Sequence, residues 1–90
     1  MATPLRVLMA EDVASDAELN AHELRRAGFE VDWLRVDNEA DFVAALERFR
    51  PDVVLCDHSI PGFGGSKALR VLRARAPELP VVVVTGSLDE

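Results

Sequence analysis

The sequence holds one cysteine, Cys56, which excludes an intrachain disulfide. That cysteine sits inside the apolar run Val53–Cys56, where it reads as a small buried residue, and a cytoplasmic location is the natural expectation. No apolar run approaches the about 20 residues that a membrane-spanning helix needs. The N-terminal MATPLRV lacks the basic-then-apolar order of a signal peptide. Basic residues are in the minority, 10 against 16 acidic, for a net charge of −6. A nucleic-acid or anionic-membrane surface favours the opposite balance, so neither is expected as a direct partner. There is no linker or low-complexity tract, and 90 residues suffice for one small domain.

What the sequence does contain is a regular alternation. Four short apolar runs stand out: Leu5–Ala10, Val31–Val36, Val53–Cys56 and Val81–Val84. Three are nearly continuous, as in strands covered on both faces, whereas Val31–Val36 alternates imperfectly, as suits an edge strand. Helical patterns separate them. The first shows Ser15 and Glu18 at capping-box spacing, an inward face of Ala17, Ala21, Leu24 and Ala27, and Gly28 placed to end it. The second runs from about Glu39 to Phe49, with Phe42, Leu46 and Phe49 on one face. The third runs from about Ser66 to Ala76, with Leu69, Leu72 and Ala76 inward. The order βαβαβαβ predicts a parallel sheet with right-handed crossovers and helices on both faces.

Ligands of such sheets lie beyond the C-terminal ends of the strands, near the point where strand order reverses. Glu11 and Asp12 directly follow the first strand, and Asp57 ends the third. An isolated aspartate there often only caps a helix. Here Ser15 or Asp16 can cap the first helix, so none of the three acids is needed for that. If the two strands are neighbours, three carboxylates converge, and their repulsion calls for a cation. Hard oxygen ligands with room for water suit Mg²⁺. Nucleotide-loop readings fail: in GFGGSK (Gly62–Lys67) serine precedes lysine and the spacing is wrong, and no G-x-G-x-x-G follows the first strand. His22 and His58 have no Cys or His partner at ligand spacing.

With the acids placed, the sequence resembles a receiver domain of two-component response regulators. The likeness spans essentially the whole chain and rests on VLMAED (Val7–Asp12), PDVVLCDHSIPGFGG (Pro51–Gly65) and LPVVVVTGS (Leu79–Ser87). It implies a flavodoxin-like, doubly wound α/β fold with strand order 2-1-3-4. It implies that Asp57 is the phosphoacceptor, taking a phosphoryl group from a histidine kinase or phosphotransfer protein. By the same likeness Glu11, Asp12, Asp57 and the Ser59 backbone carbonyl hold Mg²⁺, and Thr85 is the hydroxyl that turns towards the phosphoryl group. Gly86 leaves room for that group, Ser59 and Ser87 tune its lifetime, and Pro61 and Gly65 shape the loop. His58 is expected to be a solvent-facing loop residue, and Trp33 an edge-strand packing residue.

The sequence departs from the family pattern at its end. It stops at TGSLDE, where a fourth helix is expected, so the domain over residues 1–90 is read as lacking its last strand and flanking helices. The family's lysine, which ion-pairs with the acceptor aspartate, goes with them; Lys67, the one lysine present, is in the wrong place. Asp57 is then expected to phosphorylate slowly. Val81–Val84 is expected to be an open edge through which the chain dimerises, swaps elements or aggregates. Two other functions are weighed: a receiver-like dimerisation or docking module without phosphorylation, and an Mg²⁺-dependent phosphohydrolase. The last needs a second acid two residues after the nucleophile, where this chain has Ser59. The domain itself is thus expected to be a phosphoacceptor rather than an enzyme.

Overall fold

The computed structural model describes residues 2–84. Strand β1 (Thr3–Ala10) leads through α1 (Ala14–Arg26) to β2 (Phe29–Val36). The chain then passes through α2 (Glu39–Arg48) to β3 (Val53–Asp57), and through α3 (Gly65–Arg75) to β4 (Val81–Val84). All pairings are parallel and the order is β2-β1-β3-β4, as the resemblance implies.

The apolar second half of β1, Val7–Ala10, has a direct cause. Val7 and Met9 face α1 and pack with Ala17, Ala21 and Val31. Leu8 and Ala10 face the other way, into a cluster with Val54, Cys56, Phe42, Ala45, Ala68 and Leu72 beneath α2 and α3. Over Val7–Ala10 the strand is buried on both sides, which leaves no position for a polar residue, whereas Arg6 just before it is exposed. Alanines at positions 17 and 21, both fully buried, let α1 lie close to the sheet. The α2–α3 face is held chiefly by Phe42, whose ring meets Phe63 at 5.1 Å in a tilted arrangement.

Three local expectations are corrected. The Ser15–Glu18 capping box does not form: α1 starts two residues earlier than that box requires, its N-cap is Val13, and no side chain caps it. Ser15 therefore lies inside the first turn. On α3, Gly65, Ala68 and Leu72 are the buried residues, at the three- and four-residue spacing of one helix face, while Leu69 is only half-buried beside that face. On α1, Ala27 is an exposed C-cap rather than a core residue. Gly28 does end α1, at φ +105°, with its N–H donating to Arg25 O at 3.0 Å. The second helix follows its expected course, with Asn38 as N-cap accepting from the Asp41 N–H at 2.9 Å.

At the end of the sheet opposite the acids, Arg6 ties three segments together. It pairs with Asp32 on β2 at 2.8 Å, donates to Phe49 O, and lies 4.3 Å over the Phe49 ring. No helix among the described residues is long and apolar enough to cross a membrane.

Candidate acidic site at the sheet edge

The register of β1 and β3 builds the site. Ala10 is level with Cys56, so Glu11, just past the end of β1, and Asp57, the last residue of β3, stand side by side. This is also where the strand order reverses, since β1 connects outward to β2 while its other neighbour is β3. Glu11 and Asp57 are both buried, at 6% and 9% exposure, and Asp12 is exposed. Each of the three offers a carboxylate oxygen within 4.8 Å of the others. Such a set could hold a metal ion.

The electrostatics register the strain of that arrangement. Burial pushes the Glu11 carboxyl up to about 7, reinforced by the neighbouring Asp57 charge and by contacts with Asp57 and Asp12 and opposed by the Val13 N–H. That N–H donates to Glu11 Oε2 at 3.1 Å, so Glu11 does serve the entry to α1, contrary to the sequence expectation that no acid was needed there. Burial also pushes the Cys56 thiol up to about 11, with the charges of Asp57 and Glu11 adding to the effect. Cys56 is thus a protonated packing residue, as expected.

Asp57 is oriented by its own loop. Ser59, exposed, donates its N–H to Asp57 Oδ1 at 3.0 Å. The His58 N–H continues the β3–β4 ladder by donating to Val84 O at 3.1 Å, and its side chain is exposed, as expected. The loop then folds tightly onto α3: a Cβ on Gly64 would stand 2.5 Å from His58 O, so no side chain fits there. Pro61 is exposed and Gly65 buried at this turn. Ile60 and Phe63 are buried and anchor the loop in the core. Lys67 donates to Gly62 O at 3.0 Å. Thr85, Gly86 and Ser87 lie outside the described residues.

One residue at this edge carried no sequence signal. Arg35, at the end of β2, donates from Nη1 to the backbone carbonyl of Glu11 at 3.1 Å. In the sequence it is an ordinary position of an alternating edge strand, and only the parallel register with β1 brings it beside the acids.

Residues 7–90 match the family described as the response regulator receiver domain. The chain belongs to that family. It is 37% identical over 84 residues to the DNA-binding response regulator MtrA of Mycobacterium tuberculosis, a match covering 93% of this chain and 36% of the relative. It is 39% identical over 84 residues to the sensory transduction protein RegX3 of Mycolicibacterium smegmatis, again covering 93% and 36%. The chain therefore spans about a third of the length of these relatives. Among solved structures, it resembles the receiver domain of a sensor histidine kinase from Pseudomonas aeruginosa, crystallised with a magnesium ion in its active-site cleft. That likeness has a TM-score of 0.75 at 26% identity and covers 92% of this chain and 68% of the other. A histidine-kinase receiver domain from Syntrophus aciditrophicus gives a TM-score of 0.74 at 27% identity, covering 96% and 64%. This receiver domain thus has the flavodoxin-like fold of its family.

Proposed function

We propose that this receiver accepts a phosphoryl group on Asp57 from the phosphohistidine of a histidine kinase or phosphotransfer protein, with Mg²⁺ bound beside it. The observation that carries the reading is the convergence of Glu11, Asp12 and Asp57 oxygens within 4.8 Å at the end of the sheet. The donor set suits Mg²⁺: all are hard oxygens, and the exposed Asp12 leaves a side open for water. Glu11, Asp12, Asp57 and the Ser59 carbonyl would hold the ion. When bound, Mg²⁺ offsets the charge of the acids and of the incoming phosphoryl oxygens.

The chain's own residues do the rest. The Ser59 N–H fixes the rotation of the Asp57 carboxylate by holding Oδ1. The other oxygen attacks phosphorus, forming the O–P bond as the P–N bond to histidine breaks, and the imidazole leaves with the electron pair and takes up a proton. The family likeness supports Thr85 as the hydroxyl that turns towards the product and Gly86 as the space for it. Ser59 and Ser87 stand where side chains tune the lifetime of the phosphoryl group. The domain is in this reading a substrate of its kinase, working in the cytoplasm. Its net charge of −6 supports no direct contact with nucleic acid by this domain, although its curated relatives include DNA-binding regulators.

A second reading, a docking module that works without phosphorylation, is favoured by one observation. Lys67 is held at Gly62 O, so among the described residues no lysine stands beside the acids to stabilise a phosphoryl group. The same absence supports a slow phosphorylation rate if the first reading holds. Intact mass after incubation with acetyl phosphate and Mg²⁺ separates the two. The first reading expects a base-labile phosphate adduct that needs Mg²⁺ and is lost in Asp57→Asn. A folded protein with no adduct moves the function to docking.

A further inference from the structure

Arg35 is level with Met9 in the β1–β2 register, one residue before Val36. These two consecutive β2 residues hold both main-chain polar groups of Glu11. Val36 O accepts from the Glu11 N–H at 2.9 Å, and Arg35 Nη1–H donates to Glu11 O at 3.1 Å. The guanidinium is itself steadied by Asp37, 3.9 Å away. On the other side, the Val13 N–H holds one oxygen of the Glu11 carboxyl. The turn that carries both Glu11 and Asp12 is thereby pinned from β2 and from the start of α1.

We propose that Arg35 is a positioning residue of the acidic site, its hydrogen bond to the Glu11 carbonyl fixing the Glu11–Asp12 turn so that both carboxylates face Asp57. The proposal rests on the metal-binding reading above. Two effects of the guanidinium oppose each other. As a positive charge beside three acids it repels an incoming cation and, acting alone, weakens Mg²⁺ binding. As a donor that holds the ligand-bearing turn it strengthens binding, and loss of such outer partners commonly costs 10- to 100-fold in metal affinity. Exposure decides between them. The Arg35 side chain is 34% exposed, so water and salt screen its charge, whereas the hydrogen bond acts locally. Positioning prevails, and removing the arginine weakens binding although it removes a repulsive charge.

The opposite signs make the test sharp. Mg²⁺ is titrated at pH 8 into the native 90-residue protein, Arg35→Met and Arg35→Lys, and followed by amide NMR shifts. Arg35→Met is expected to bind about tenfold more weakly, in line with other outer-shell losses. Arg35→Lys recovers most of the loss through its own donor. In the metal-free proteins, hydrogen exchange at the Asp12 and Val13 amides is compared with that at the β3 amides. The ratio rises about tenfold in Arg35→Met if the turn is released, a scale set by the same outer-shell argument. A general loss of stability moves all amides together and leaves the ratio unchanged. Equal or tighter Mg²⁺ binding by Arg35→Met overturns the proposal, and so does an unchanged exchange ratio. If the native protein binds no Mg²⁺, the metal reading of the site falls by itself, and the exchange ratio still decides whether Arg35 holds the turn.

Discussion

Replacing Glu11 with glutamine is expected to make the metal-free protein more stable, and only above the pH at which Glu11 ionises. Glu11 titrates near 4.5 when unfolded and is pushed up to about 7 when folded, chiefly by burial. A carboxyl whose folded value lies above its unfolded value holds its proton more tightly in the folded state. Its contribution to stability is complete below about pH 4.5 and is lost as pH rises through about 7. At roughly 1.36 kcal/mol per pKa unit, the loss by pH 8 is about 3 kcal/mol. Glutamine carries no charge to desolvate, and its carbonyl can still accept from the Val13 N–H. It can also donate to Asp57. Glu11→Gln should therefore gain about 2–3 kcal/mol at pH 8, a rise of the order of 10 °C in Tm for a domain of this size. At pH 4.5 the gain should nearly vanish. The assay is urea and thermal unfolding at both pH values in the presence of a chelator. Adding Mg²⁺ at pH 8 should stabilise the native protein and leave Glu11→Gln nearly unmoved, because a ligand stabilises only the state that binds it. A variant no more stable than the native protein at pH 8, or a gap of equal size at pH 4.5, would refute the electrostatic argument.

Two further outcomes are expected away from the acids. Arg50 holds a left-handed backbone at φ +55° just after α2, where glycine fits without strain. Arg50→Gly should raise stability by about 0.5–1 kcal/mol, the strain relieved less glycine's larger entropy loss, as read by denaturant midpoint. Val82 and Val83 on β4 are 51% and 41% exposed, and β4 has one strand partner among the described residues. The 90-residue chain should self-associate through this edge in sedimentation at high concentration, and Val82→Lys should return it to a monomer. A native chain that stays monomeric at millimolar concentration would count against that.

Much of the fold was legible because its cause is local. Strands covered on both faces read as apolar runs: Val53–Cys56 is unbroken, and Leu5–Ala10 is interrupted by Arg6, which lies exposed ahead of the doubly covered Val7–Ala10. The helices between them follow from apolar spacing, and Gly28 marks the end of the first through a conformation that glycine favours, whereas the Asn38 cap of the second emerged only with the structure. The capping box at Ser15 misled because hydroxyl-to-acid spacing occurs inside helices as well as at their starts. The helix start was settled instead by Val13, whose N–H is held by the Glu11 carboxylate. Such a contact crosses from the acid site into the helix and has no signature in spacing.

By itself the sequence determined the alternation of strands and helices and the acids at the ends of two of its strands. These depend on periodicity and residue type, which the chain carries one residue at a time. Tertiary structure decided that β1 and β3 are neighbours in the register that sets Glu11 beside Asp57. It also decided that Arg35 reaches the Glu11 carbonyl, and that one carboxyl is buried deeply enough to keep its proton near neutral pH. Those are properties of distance and solvent access between segments remote in sequence, and only packing brings them about.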